Sequence, residues 1–176
     1  MTIPVFCYGS NLSVTRMRAR AREARVAGVG RLAGHALRFH KRGRDGSAKA
    51  DAFRTDAAED FLWGVVYELA DRDKRSLDRA EGLGVHYLEH EVDVEVEAGR
   101  LMRAWVYCAS PDRIDVSLRP YSWYRHLVLD GARHHRLPAA YLEALGAVET
   151  VEDPDPERHA RELAVLASFS ELGRLA

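Results

Sequence analysis

Two parts of the chain carry residue types that could do chemistry together: the segment Tyr8-Gly9-Ser10-Asn11-Leu12 and the lone carboxylate Glu81. A Gly-Ser-Asn turn directly after a buried strand exposes backbone N–H groups at a helix start, a concavity suited to carboxylates or developing oxyanions. A half-buried carboxylate at a helix end suits a group that takes and returns a proton. Taken singly, each has an ordinary explanation, since tight strand-to-helix turns are common and helix-terminal glutamates mostly face solvent.

The elements that must position these residues can be read from periodicity. Ile3 to Tyr8 is a short apolar run that reads as a buried strand, turning at Gly9-Ser10-Asn11 into a helix that begins near Ser13. Val26 to Phe39, Lys49 to Phe53 and Leu62 to Leu69 are strand-like, and Phe61 to Tyr67 reads as a central strand. Asp71 is placed to cap a helix running through Ala80, and Gly82 to end it in the left-handed conformation. Glu81 then sits in the last turn, four residues after Leu77, and faces the core. Burial and the negative end of the helix dipole both favour a proton on such a carboxylate.

Farther on, Leu88, His90, Val92, Val94 and Val96 alternate with Glu89, Glu91, Asp93, Glu95 and Glu97, which predicts a half-buried strand with a solvated charged face. Ala98-Gly99-Arg100 predicts a hairpin into Leu101 to Cys108. Helices are expected over Tyr121 to Arg133 and over Leu137 to Leu145, the latter opened by Pro138, and a last amphipathic helix over about 156–172. Strands before residue 110 and helices after it predict an α+β fold with a barrel-like or strongly curled sheet.

The 176 residues are 47% hydrophobic and 30% charged with a formal net charge of -1, which fits one globular domain over 1–176 and no bulk electrostatic partner. Cys7 and Cys108 match no metal-ligand spacing and read as reduced, buried thiols. The amino-terminal residues lack a secretory pattern and no apolar run reaches the roughly 20 residues of a membrane helix, so the expected location is cytoplasmic.

Competing sites are weaker. His86-Tyr87-Leu88-Glu89-His90 shares only its histidine spacing with a zinc motif, and the Gly28 to Gly34 run does not fit a dinucleotide fingerprint, so neither metal nor other cofactor is expected. Ser10 lacks a nucleophile-elbow pattern. Arg16, Arg18, Arg20, Arg22 and Arg25, with Arg38, His40, Lys41, Arg42 and Arg44, read as solvated faces rather than a nucleic-acid surface, because acids are interspersed and no stacking aromatics accompany them.

Against this background FCYGSNLS, FLWGVVYELA, LDRAEGLGVHY and SWYRHLVLDGARHHRLPAAYLEALGAVE follow one another in the order seen in γ-glutamylcyclotransferases. Up to about Glu149 the chain resembles that family. The specific element is the pairing of Tyr8-Gly9-Ser10-Asn11-Leu12 with Leu77-Asp78-Arg79-Ala80-Glu81-Gly82 and Tyr87. The resemblance implies a curled, barrel-like mixed β-sheet with flanking helices. It also implies Glu81 as general acid/base, Tyr8, Gly9, Ser10, Asn11 and Leu12 as the substrate-holding loop, and Tyr87 and Tyr124 as pocket walls. A third pocket tyrosine of the animal enzymes falls at Trp105, and the stretch from Arg42 to Phe53 is only loosely similar.

The implied reaction is intramolecular cyclisation of a γ-glutamyl amino acid, peptide or amine to 5-oxoproline. The substrate's own α-amino group is the nucleophile, so no serine, cysteine or metal is required. Two other readings stay open: a catalytically silent ligand-binding or interaction module of the same fold, and an enzyme removing a γ-glutamyl group from a biosynthetic intermediate or a polyamine-like amine. The expected partner is a small-molecule γ-glutamyl substrate, without nucleic acid or membrane, and a homodimer is compatible with this reading.

Overall fold

The computed structural model describes residues 2–97 and 99–172, with side chains as far as residue 164. Its first strand, β1 (Thr2–Cys7), leads through a 3-10 turn at Ser10–Leu12 into helix α1 (Val14–Arg20). Strands β2 (Arg25–Ala33), β3 (His35–Arg42), β4 (Ala48–Arg54) and β5 (Phe61–Ala70) follow, then helix α2 (Asp71–Glu81). Strands β6 (Tyr87–Glu97) and β7 (Arg100–Ala109) precede helices α3 (Ser122–His134), α4 (Ala139–Gly146) and α5 (Pro156–Leu172). The expected α+β class and barrel-like mixed sheet are both present.

Five strands close a barrel in the order β1-β5-β2-β6-β7. All neighbours are antiparallel except β1 and β7, which close the barrel in parallel through Val5 opposite Trp105 and Phe6 opposite Val106. Strand β5 pairs with β1 on one side and β2 on the other; in a closed barrel no strand is central, and its continuous apolar run reflects cover on both faces instead. Phe6, Leu62, Val66, Val94 and Val106 share one face of the barrel sheet and are buried in the core, and the closed barrel leaves no sheet edge along those strands.

Strands β3 and β4 form a separate two-stranded arm. Ala48, Ala50 and Ala52 alternate along β4 and are all buried, so a row of small side chains lets this arm approach the rest of the molecule closely. The arm is tied to β7 by the Ala109 N–H, which donates to Asp51 Oδ1 at 2.6 Å. The strand-like run expected from Val26 to Phe39 divides here: Gly34, at φ 67°, turns the chain from the barrel into the arm.

Three local expectations need correcting. Asp71 is the first residue of α2 rather than its cap; Ala70 takes the cap position, and Asp71 serves the helix by its negative charge in the first turn and by pairing with Arg75. In β6 the alternation holds from Val92 to Val96 but not at the strand's start. There Leu88 and His90 are exposed, Tyr87 is buried, and Glu89 accepts from Lys74 of α2 at 2.7 Å. A helix covers that face, so its charge is paired rather than solvated. Finally, Cys7 is buried but Cys108 is only half-buried, and both are free thiols.

The hairpin between β6 and β7 turns at Gly99, at φ 78°; Ala98, also placed in that turn by the sequence, lies outside the described residues. No helix among the described residues is long and apolar enough to cross a membrane.

Candidate active site

The turn after β1 brings its functional atoms together by close approach. A Cβ added to Gly9 would lie 2.9 Å from the Ala50 Cβ, so only glycine lets the turn seat against β4. Ser13 caps α1 by accepting from the Arg16 N–H at 3.3 Å, which fixes where the turn ends. Within the turn, Leu12 N–H donates to the Gly9 carbonyl at 3.0 Å and Ser13 N–H to the Ser10 carbonyl at 3.2 Å. The N–H groups of Ser10 and Asn11 have no hydrogen-bond partner among the described residues, as expected for the first positions of a helical turn.

Glu81 is the last residue of α2, one turn after the fully buried Leu77. Gly82 follows at φ 68° and ψ 49°, and the Leu83 N–H returns to the Asp78 carbonyl at 2.9 Å, so the helix ends by a left-handed cap. The Glu81 side chain is 14% exposed. Its Oε1 accepts from Asn11 Nδ2 at 2.8 Å and from Arg20 at 2.5 Å. Arg20 also donates to Asn11 Oδ1 at 2.7 Å, closing a triangle of three side chains. Because a guanidinium can only donate, the Asn11 amide must turn its oxygen to Arg20 and its nitrogen to Glu81. No hydrogen bond to Glu81 Oε2 occurs among the described residues.

Arg20 belongs by sequence to a basic stretch expected to face solvent. Arg18, Arg22 and Arg25 are exposed, but Arg16 and Arg20, one helical turn apart, share the side of α1 that faces the site. That four-residue spacing was the available signal.

Tyr87 and Tyr124 grip the same residue of β4 from two directions. Tyr87 Oη donates to the Ala50 carbonyl at 2.9 Å, while the Ala50 N–H donates to Tyr124 Oη at 3.2 Å. Tyr8 Oη donates to the Tyr107 carbonyl. Burial pushes the phenols of Tyr8, Tyr87 and Tyr124 above their ordinary value, so all three keep their protons at neutral pH.

These groups line a narrow recess of about 30 Å³, whose walls include Gly9, Ser10, Asn11, Glu81, Tyr87 and Tyr124. Tyr8 also lines it, while Leu12 is buried behind the turn and does not. The recess shares Ser10, Glu81, Tyr87 and Tyr124 with a larger outer cleft of about 270 Å³. Besides Tyr8, Tyr87 and Tyr124, a fourth tyrosine, Tyr107, lines the recess; Trp105, the position suggested by the resemblance, lines neither space. Tyr107 lies one pleat farther along the same strand face, and its hydroxyl donates to Asp78 Oδ1 at 2.5 Å.

Cys7 also borders the recess, but burial pushes its thiol up, with Glu81 adding to the effect. It is a protonated packing residue, not a nucleophile. His86 and His90 do not converge: His90 is exposed, and His86 accepts from Arg44 Nε at 3.2 Å. Among the described residues no group of three His, Cys, Asp or Glu side chains could hold a metal ion.

Residues 61–145 match the AIG2-like family. The gamma-glutamylcyclotransferase of Homo sapiens is 30% identical over 148 residues, which span 82% of this chain and 77% of the human protein. The gamma-glutamylcyclotransferase of Mus musculus is 30% identical over 156 residues, or 86% of this chain and 81% of that protein. The chain belongs to the gamma-glutamylcyclotransferase family of enzymes. A solved structure of a gamma-glutamyl cyclotransferase superposes on it with a TM-score of 0.80 at 26% identity, covering 88% of this chain and 92% of the other. The barrel with its β3–β4 arm and flanking helices is therefore a gamma-glutamylcyclotransferase fold.

Proposed function

We propose that the chain releases 5-oxoproline from a small γ-glutamyl compound by intramolecular cyclisation, with Glu81 as the general acid/base. The observation that carries this reading is the bond from Asn11 Nδ2 to Glu81 Oε1 at 2.8 Å, which links the turn to the one carboxylate that lines the recess among the described residues. Family membership supports the reaction class.

In this reading the γ-carbonyl oxygen enters the recess and lies at the free N–H groups of Ser10 and Asn11, while the rest of the glutamyl group occupies the inner part of the cleft beside Glu81, Tyr87 and Tyr124. Glu81 Oε2 takes a proton from the substrate's α-ammonium. The freed nitrogen attacks the γ-carbonyl carbon, and the oxyanion forms against the two N–H groups, whose positions are set before the reaction begins. Glu81 returns the proton to the departing nitrogen and the amide C–N bond breaks; the ring nitrogen passes its remaining extra proton by way of Glu81 to the released amine, and neutral-amide 5-oxoproline leaves with an ammonium or amino-acid product. Holding the chain folded in this way can contribute roughly 7–11 kcal/mol to lowering the barrier. Tyr8, Tyr87 and Tyr124 bind and shape the recess as neutral hydrogen-bonding walls.

The test is incubation of the purified protein with a panel of γ-glutamyl amino acids, peptides and amides, with 5-oxoproline followed by mass spectrometry. Release of 5-oxoproline from at least one member is expected; its absence across the panel would refute the activity.

A further inference from the structure

Beyond the recess, the outer cleft carries more positive charge than its own acids neutralise. Six basic side chains line it: Arg16, Arg20, Lys41, Arg44, Lys49 and Arg158. Four have acidic partners. Arg16 meets Glu162 at 3.5 Å, Arg20 meets Glu81 at 2.5 Å, Lys49 meets Asp45 at 2.6 Å and Arg158 meets Asp153 at 2.5 Å. Lys41 and Arg44 have no acidic partner among the described residues.

Lys41 is the telling one. It is 5% exposed, and its ammonium sits 4.8 Å from the centre of the Tyr87 ring, on the wall where recess and cleft meet. Lysine is almost never buried so far without a paired charge, because its removal from water is uncompensated. The Tyr87 ring face and the Glu81 carboxylate, which acts on the ammonium from beyond ion-pair distance and is itself bonded to Arg20, offset part of that cost but not the whole. Arg44 completes the pair. Its Nε donates to His86 Nε2, so that imidazole is neutral, and the rest of the guanidinium stays available at the cleft mouth.

We infer that Lys41 and Arg44 form a leaving-group subsite that selects γ-glutamyl compounds whose leaving amine carries negative charge, most strongly a dicarboxylic amino acid with its two carboxylates. This rests on the cyclotransferase reading, which puts the γ-carbonyl in the recess and the leaving group toward the mouth of the cleft. Two unmatched cations complement two carboxylates. A neutral alkylamine would leave the buried ammonium unpaired, and a polyamine would add a like charge beside it. The subsite therefore sets the order of leaving groups as dianionic, then monoanionic, then neutral, then cationic.

The experiment compares kcat/KM for γ-glutamyl-glutamate, γ-glutamyl-alanine, γ-glutamyl-ethylamide and γ-glutamyl-putrescine in wild type, Lys41→Met and Arg44→Gln. The ratio of γ-glutamyl-glutamate to γ-glutamyl-ethylamide is expected to exceed one in wild type and to fall roughly 10- to 100-fold in Lys41→Met, as for loss of a charged hydrogen bond. Arg44→Gln, at an exposed position, should lower it severalfold. A wild-type ratio near one, or a ratio unchanged in Lys41→Met, would overturn the subsite. Should no substrate be turned over, the cyclotransferase reading fails separately, and calorimetric binding of γ-glutamyl-glutamate decides the subsite: weaker binding to Lys41→Met supports it and equal binding refutes it. Met keeps the length and apolar body of the lysine, and Arg44→Gln gives a second readout should Lys41→Met unfold.

Discussion

Asn11 and Glu81, seventy positions apart in the chain, are joined by a single hydrogen bond of 2.8 Å. Arg20 bonds to both, so a turn and the carboxyl ends of two helices are locked into one arrangement, with Oε1 accepting from both partners and Oε2 without a hydrogen bond among the described residues.

Glu81→Gln isolates the proton. A glutamine can offer its carbonyl oxygen to Asn11 and Arg20, so the triangle survives, but it cannot accept and return a proton. We expect kcat to fall by about 10²–10⁴-fold with KM much less affected, and the melting temperature to stay near wild type. Equal rates of 5-oxoproline release would remove Glu81 from the mechanism.

Asn11→Ala breaks the triangle without touching the carboxylate. Glu81 then keeps Arg20 but loses the contact that sets its direction, and a displacement near 1 Å costs on the order of 10²-fold. The expected loss is about 10–10²-fold in kcat with a smaller change in KM. A variant with unaltered kcat would show that the turn does not position the carboxylate.

Gly9 faces Ala50 so closely that even alanine must displace β4. Gly9→Ala is therefore expected to cost about 1–3 kcal/mol of stability by overpacking, together with activity, since Tyr87 and Tyr124 are both anchored on Ala50. Ala50→Gly in the same chain should restore most of the loss. Additive effects in a double-mutant cycle, read by denaturant midpoints, would contradict the contact.

His135 gives the fold a pH dependence. Its Nε2 lies 2.9 Å from the Leu12 carbonyl, which can only accept, so the neutral ring donates there and braces the turn from α3. Burial, with His134 adding to it, pushes its pKa down to about 4 from the usual 6.5. The unfolded chain thus binds a proton that the folded chain refuses between those values, and this contribution is complete above 6.5 and is lost as the pH falls toward 4. Urea midpoints of wild type and His135→Gln across that interval should converge on acidification. A constant difference would refute the assignment.

Much of this site could be read from residue types because its parts are local. The turn chemistry of Gly9-Ser10-Asn11, the left-handed cap at Gly82 and the one-turn spacing from Leu77 to Glu81 each follow from short-range rules. What escaped were contacts made across the barrel. Arg20 resembles its exposed neighbours until α1 is placed against α2, and Tyr107 is separated from Trp105 by one pleat, a shift that apolar patterning does not resolve. Ala50 carries no chemical signal in its side chain; its role lies in backbone atoms that two tyrosines grip. Lys41 belongs to an alternating basic stretch, and its burial appears only once the arm folds onto the site.

The parallel seam between β1 and β7 joins residues one hundred positions apart, Val5 to Trp105 and Phe6 to Val106. Entropy lost in closing so long a loop is not offset until most of the barrel is in place, so the seam is a late event in folding. Helix α2 and the turn at Gly9 can form early, each from neighbours in sequence, yet the recess between them has no floor until Tyr107 arrives with β7. Recovery of ligand binding after denaturation should therefore track seam formation and lag behind the return of helical signal in stopped-flow circular dichroism.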